Sequence, residues 1–198
     1  MSSDPDSATK EIATKEAVTK SIATKQAGQT IQRIVFTQEE IQARVSEMAQ
    51  AITDAHGPDD EVLVLGLLKG SFIFLADLVR RIQHPLQVDF LVASSYGNAK
   101  ESSGEVKLLY DPEPSLEGRS VILVEDIIDS GTTLNRLVPL LEGRGPRSLE
   151  ICALLHKRVA ELDREPRWVG FDAPEEFLVG YGLDYSENLR HLPFIGSI

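Results

Sequence analysis

From Ile31 onward the apolar positions of the chain alternate between two spacings. In "TQEEIQARVSEMAQAITDAH", Ile41, Val45, Met48 and Ile52 recur every three or four residues, which predicts one buried stripe along a helix. Thr37 stands just before that stripe with Glu40 three residues on, the pairing in which each side chain satisfies the other residue's backbone N–H at a helix start. "EVLVLGLL" is instead a near-continuous apolar run, as a parallel strand covered on both faces should be. "SFIFLADLVRRI" returns to helical spacing, "LQVDFLVASS" is strand-like, and a loop rich in Gly, Asn, Lys and Ser leads into "EVKLLYD". "SVILVED" and "SLEICALL" are two more buried strands, with the helical "TTLNRLVPLLEG" between them despite Pro139. Strands alternating with helices predict an α/β fold with parallel pairing through right-handed crossovers. A ligand crevice then belongs at the carboxyl ends of the strands. Lys69, Glu125 and Lys157 each follow an apolar run and so fall there.

Residues 1–30 follow a different pattern. "SATKEIATKEAVTKSIATKQ" repeats Thr-Lys every five positions, at Thr9, Thr14, Thr19 and Thr24. A five-residue step rotates a helix by about 140°, so Ile12, Ala17 and Ile22 spread around the axis and make no stripe. The expectation is a mobile or loosely helical tail, followed by one domain over residues 31–198.

Composition narrows the classes of function. With 198 residues and 42% hydrophobic content the chain suits a single domain with a sizeable core. Its 31 acidic against 20 basic residues give a net charge of −11, which disfavours nucleic acid and anionic membrane as partners. The lone cysteine, Cys152, lies within an apolar run; it cannot form an intrachain disulfide and reads as a buried, inert thiol in a reducing cytoplasm. No apolar stretch approaches the roughly 20 residues that span a bilayer. Neither His56, His84, His156 nor His191 stands at metal-ligand spacing from another, so no zinc site is expected.

The stretch that carries chemistry is "VILVEDIIDSGTT", Val121 to Thr133. It leaves a buried strand through Glu125, Asp126 and Asp129, then turns through Ser130, Gly131, Thr132 and Thr133 into a helix. Successive N–H groups and three hydroxyls beside a positive helix end can hold a phosphate monoester. Neither the nucleoside-triphosphate loop nor the dinucleotide fingerprint occurs in the chain. Two adjacent carboxylates at a strand end suit acceptance of hydrogen bonds from a sugar's vicinal hydroxyls, directly or beside magnesium. Asp129 could also cap the helix.

This order of four aliphatics, two acids, a third acid and Ser-Gly-Thr-Thr resembles the phosphoribosyl-pyrophosphate motif of type I phosphoribosyltransferases, in particular their hypoxanthine-guanine branch. "LLKGSFIFLADL" resembles that branch's diphosphate loop, "LLHKR" its purine-lysine segment, and "FLVGYGLDYSENLRHLP" its base-stacking and metal-binding segment. Together these cover about Ile34 to Ile198. The resemblance implies a mainly parallel twisted sheet flanked by helices, with a small hood and a mobile lid.

It also implies roles, carried over where residues match. Glu125 and Asp126 would accept from the ribose hydroxyls, Asp129 would act as general base or proton relay at purine N7, and Asp129, Ser130, Gly131, Thr132 and Thr133 would hold the 5′-phosphate. Lys69 and Gly70, at a position where the family places a cis peptide, would contact pyrophosphate together with Arg190. Lys157 would donate to the exocyclic O6 of a 6-oxopurine, with Arg158 as the rival cation. Phe177 would stack on the base and Leu178, where the family more often has Val or Ile, would offer backbone contacts. Asp184 would bind magnesium near the purine, with Glu125 and Asp126 as further candidates for the metal. Ser95 and Tyr96, in the loop Ser94 to Gly104, would close over the transition state. Trp168 is assigned to packing.

The reaction implied joins hypoxanthine or guanine to phosphoribosyl pyrophosphate, in a cytoplasmic homodimer or homotetramer. Two other readings compete with it. A response-regulator receiver carries its acidic pair on the first strand, whereas α/β pattern precedes Glu125 here. An RNA-binding regulator on the same scaffold would need a basic face, and this chain is acidic.

Overall fold

The computed structural model describes residues 30–95 and 106–198. The expectations for the N-terminal repeat and for Tyr96 fall on residues outside that range; Ser95 is the last residue of its strand. The described residues form two compact units, one containing Thr30–Ala43 and Glu176–Ile198, the other Arg44–Glu175.

The larger unit is built on a six-stranded sheet. Its strands are β2 (Val62–Leu68), β3 (Leu86–Ser95), β4 (Val106–Tyr110), β5 (Ser120–Ile128), β6 (Ser148–His156) and β7 (Trp168–Asp172), in the spatial order β4-β3-β2-β5-β6-β7. All neighbours run parallel except β4, which folds back antiparallel on β3 at the edge. β2 and β5 occupy the centre, in register from Val62 opposite Ser120 to Gly66 opposite Val124. Their apolar runs are covered on both faces, which explains why neither alternates with polar residues.

Helix α1 (Gln38–Asp54) begins at the expected reciprocal cap: Glu40 N–H donates to Thr37 Oγ1 at 3.2 Å and Thr37 N–H to Glu40 Oε2 at 2.7 Å. Its stripe of Ile41, Val45, Met48 and Ile52 is buried. Helix α2 (Phe72–Val79) follows β2, and helix α3 (Thr132–Glu142) follows β5. α3 sets Leu134, Leu137, Val138 and Leu141 against Leu63, Leu65, Leu123 and Ile151 of the sheet. Each such leucine contributes about 2 kcal/mol by leaving water, which outweighs the break that exposed Pro139 makes by removing the N–H owed to the Asn135 carbonyl. Cys152 and Trp168 are buried as expected, and burial pushes the Cys152 thiol up, so it is inert.

At the far edge, α1 reaches β7: Arg44 Nε donates to Gly170 O at 2.7 Å and Nη2 to Val169 O at 2.8 Å. The smaller unit carries a second sheet, order β1-β9-β8, all antiparallel, from β1 (Arg33–Phe36), β8 (Leu178–Val179) and β9 (Ile195–Ser197). Its core is Ile31, Ile34, Val179, Leu189, Leu192 and Phe194. Among the described residues no helix is long and apolar enough to cross a membrane.

Candidate active site

β5 does not stop at its acids. Pairing with β6 carries it on through Glu125 opposite Ala153 and Ile128 opposite His156, so both carboxylates belong to the strand's last four residues. The chain then turns through Asp129 and Ser130 to Gly131, which starts α3 at φ +80° with no side-chain cap bond. A Cβ at Gly131 would stand 2.4 Å from the Glu161 carbonyl oxygen, so glycine is needed both for the left-handed backbone and for the close approach. Gly131 brings no side chain to the cap, so the first-turn N–H groups are left for other acceptors, and a helix start of this kind is where anions bind. Ser130 Oγ and Thr132 Oγ1 are 3.0 Å apart, and Thr132 N–H points at Ser130 Oγ at 3.4 Å. Glu125, Asp129, Ser130, Gly131, Thr132 and Thr133 line an open hollow of about 300 Å³, its mouth included.

Asp129 is not the helix cap. Its carboxylate meets Lys157, with Oδ1 2.9 Å from Nζ. Lys157 extends β6, held at its root by donation of its N–H to the Ile128 carbonyl at 2.9 Å. The lysine side chain is 14% exposed and the aspartate 68%, so a nearly enclosed cation stands behind an open carboxylate at the cradle's mouth. The rival cation, Arg158, donates through Nε to Asp172 Oδ1 at 2.7 Å on β7. Local sequence favours a capping aspartate; the partner that overrides it lies 28 positions away and is brought in by strand pairing.

Of the other two acids, Asp126 lies against the turn after β2. The Leu68–Lys69 peptide is cis, and Lys69 is exposed. A Cβ on Gly70 would lie 1.7 Å from Asp126 Oδ2, so the bare glycine backbone and that carboxylate are in direct contact. Ser71, fully buried, donates to the Leu67 carbonyl at 2.6 Å, and Phe72 N–H donates to Lys69 O at 3.3 Å, which pins the turn. The Glu125 carboxyl is held well above the usual carboxylate range, first by burial and then by the charge of Asp126. Glu125 therefore takes up a proton more readily than an ordinary glutamate until a donor or cation arrives. Sequence reasoning did not single out Ser71, because its role depends on a turn whose geometry no local motif specifies.

Phe177, Leu178, Asp184 and Arg190 lie in the smaller unit. Phe177 is 55% exposed, and its ring meets Tyr185 edge-on at 5.9 Å, leaving aromatic surface uncovered. Its carbonyl accepts from Ile198 N–H at 3.1 Å, while Leu178 is buried and paired with Ser197. Asp184 Oδ1 stands 2.8 Å from Arg190 Nη2, and Oδ2 accepts from Glu187 N–H at 2.8 Å. Arg190 also donates to Gly182 O at 2.8 Å and pairs with Glu187 at 3.1 Å, while its buried Nε has no partner among the described residues. Tyr181, Ser186, Glu187 and Leu189 all adopt positive φ, between 49° and 73°. Four such residues within nine positions are costly, and clusters of this kind occur where function holds them.

Among the described residues no group of three or more His, Cys, Asp or Glu side chains could hold a metal. Magnesium does not require one: it keeps most of its waters and commonly takes one or two carboxylates plus substrate phosphates. The hard oxygens of Asp126 and Glu125 suit that mode in the larger unit, and those of Asp184 suit it in the smaller unit taken by itself.

A family model described as a phosphoribosyl transferase domain matches residues 33–186. Hypoxanthine phosphoribosyltransferase of Salmonella typhimurium is 44% identical over 167 residues, covering 83% of this chain and 94% of that protein. Hypoxanthine-guanine phosphoribosyltransferase of Bacillus subtilis is 45% identical over 169 residues, covering 85% and 93%. Among solved structures, a hypoxanthine-guanine phosphoribosyltransferase of Bacillus anthracis superposes with a TM-score of 0.80 at 44% identity, over 85% of this chain and 99% of that one. A hypoxanthine phosphoribosyltransferase of Staphylococcus aureus gives 0.81 at 40% identity, over 85% and 91%. By motif order, sheet topology and these likenesses together, the chain belongs to the phosphoribosyltransferase family, in its hypoxanthine-guanine branch.

Proposed function

We propose that this chain salvages purines, transferring the 5-phosphoribosyl group from phosphoribosyl pyrophosphate to N9 of hypoxanthine or guanine. The products are IMP or GMP and pyrophosphate. The observation that carries the reading is the Lys157–Asp129 pair at 2.9 Å beside the cradle. A 6-oxopurine presents an acceptor at O6 and a proton at N7, and an ammonium next to a carboxylate answers both. Adenine offers a donor at the 6-position, which faces a lysine that can only donate.

In this reading the loop Asp129–Thr133 holds the 5′-phosphate, and Glu125 and Asp126 hold the ribose hydroxyls. As the bond from C1′ to the pyrophosphate oxygen breaks and the bond to N9 forms, Asp129 takes the N7 proton. Lys157 donates to O6, whose electron density rises as the purine loses that proton. Bound magnesium would offset the charge of the departing pyrophosphate, held by Glu125, Asp126 or Asp184. Lys69, Gly70 and Arg190 are assigned to pyrophosphate, and Phe177 and Leu178 to the base. For Arg190 to grip a phosphate it exchanges its hold on Asp184 and Glu187 for the substrate's oxygens. Ser95 and Tyr96 would shield the ribosyl cation from water.

The expected assembly is a homodimer or homotetramer, and Phe72, Val88 and Phe90 support it as large apolar side chains left exposed in the larger unit. Cytoplasmic residence is supported by the single, buried Cys152, in a chain that uses no disulfide framework. Residues 1–30 are proposed to lie outside the catalytic domain. Nothing favours the RNA-binding alternative in a chain of net charge −11. The test is direct: incubate the protein with donor, magnesium and each of hypoxanthine, guanine, xanthine and adenine, and follow nucleotide formation. Turnover of hypoxanthine or guanine without adenine is expected; comparable use of adenine, or no turnover of any base, would overturn the proposal.

A further inference from the structure

We propose that Asn135 is a positioning residue, tying the strap that begins at Lys157 to the helix that carries the phosphate cradle and so setting where the purine-side ammonium stands. The inference rests on the phosphoribosyl-transfer reading above. Asn135 lies one turn into α3, its N–H donating to the Gly131 carbonyl at 2.9 Å. Its side-chain amide is spent at both ends on the main chain of the strap. Nδ2 donates to Glu161 O at 2.8 Å, and Oδ1 accepts from Asp163 N–H at 3.0 Å. The same Glu161 carbonyl occupies the space over Gly131 that a Cβ would need, at 2.4 Å. One peptide of the strap is thus pressed on the phosphate loop and clamped to the next turn of the helix.

The two sides are not held equally. α3 buries Leu134, Leu137, Val138 and Leu141, whereas the strap has irregular backbone, with Ala160 N–H donating to Lys157 O at 3.0 Å and with Ala160 and Leu162 only partly buried. Losing the Asn135 amide therefore lets the strap move and leaves the cradle where it is. Lys157 is the strap's first residue. Its root is fixed by the Ile128 carbonyl and the strap's far end by Arg164, which donates to Leu149 O at 2.7 Å and pairs with Glu142 at 2.6 Å; the stretch between them takes its course from the Asn135 clamp. The displacement reaches the 2.9 Å contact with Asp129 and, through it, the purine.

The experiment compares the full chain with Asn135→Ala, Asn135→Asp, Lys157→Gln and the Asn135→Ala/Lys157→Gln double variant. Asn135→Asp keeps the size and the acceptor for Asp163 but loses the donor to Glu161, and it stands in should the alanine variant fold poorly. Each is assayed for kcat and for KM of hypoxanthine and of donor, with a thermal melt. Asn135→Ala and Asn135→Asp should each lower kcat/KM for hypoxanthine by about tenfold, the lower end of what small misplacements of a reacting group cost. Donor KM should stay within about twofold, because the cradle is anchored separately. In the Lys157→Gln background Asn135→Ala should cost less than about twofold more, since residues acting through one another are not additive. Additive losses, an equal rise in both KM values, or unchanged purine kinetics in folded Asn135 variants would overturn the positioning role while leaving Lys157 in place. Lys157→Gln without effect on purine use would bring down the assignment of Lys157 and this inference with it.

Discussion

Gly70→Ala separates a fold from a site. The new methyl would be built 1.7 Å from Asp126 Oδ2 and 2.5 Å from its Cγ, where ordinary contact begins at 3.4 Å. The obstacle is the end of a rotatable side chain and not backbone, so the carboxylate swings away and the turn stays. Forcing it off its preferred rotamer costs about 1 kcal/mol, which for a chain of this size lowers Tm by roughly 2–4 °C. The functional loss is larger. A charged hydrogen-bond acceptor withdrawn from the ribose hydroxyls or the metal is worth about 1.5–3 kcal/mol, or roughly 10- to 150-fold in kcat/KM for the donor. The assay is steady-state kinetics with donor varied at saturating hypoxanthine, alongside a thermal melt of the same preparation. A fall of more than about 10 °C with donor kinetics unchanged would refute the reasoning. It would mean that the turn moved and that Asp126 has no part in binding.

Gly131→Ala should behave in the opposite way, because its φ of +80° and the Glu161 backbone oxygen 2.4 Å from a Cβ leave nothing soft to yield. A left-handed alanine alone costs about 1–2 kcal/mol, so differential scanning calorimetry should show a drop of several degrees, and an unchanged Tm would contradict the close approach. Asp129→Asn should cut kcat by at least tenfold, since loss of a general base costs about 10²–10⁴, with donor KM within a few-fold. A steep rise in donor KM with kcat preserved would instead make Asp129 part of the phosphate cradle. Glu125 carries a pH signature: its folded pKa lies above its unfolded one, so the folded state holds the extra proton and stability falls as pH rises from the ordinary glutamate range through the raised value. Glu125→Gln should therefore gain thermal stability over wild type at neutral pH, with the difference closing toward pH 4; equal melting curves at both pH values would show that the carboxyl is not buried as charged.

What local pattern dictates was legible in the chain, and what depends on register was not. The reciprocal cap of Thr37 and Glu40, the doubly buried runs of β2 and β5, and the placing of Lys157 after an apolar strand all follow from neighbours within a few residues. The helix at Thr132–Glu142 survived its proline because four buried side chains outweigh one missing N–H. The extension of β5 past Asp126 to Ile128 could not be read, because it is decided by pairing with β6. The same pairing turns Asp129 from a capping candidate into the partner of Lys157. The contact of Gly70 with Asp126 requires two strand ends to be brought side by side, and the hold of Asp184 on Arg190 requires a loop with four residues at positive φ. Nothing in residues 130–140 announces that Asn135 spends its amide on a strap some 26–28 positions away.

The guanidinium of Arg44 covering the Val169 and Gly170 carbonyls has a consequence for the behaviour of many copies together. β7 is the outermost rung of a parallel sheet, and an outermost rung with open carbonyls is a template on which another copy's extended segment can add itself. Arg44 fills two of those acceptors from a helix within the same chain, so fewer of them are left for an added strand, and the charge it brings to the edge makes that edge a poorer template. Turbidity and recovery at high protein concentration, more than turnover, are where this side chain matters, and Arg44→Ala should precipitate at concentrations the wild-type chain tolerates.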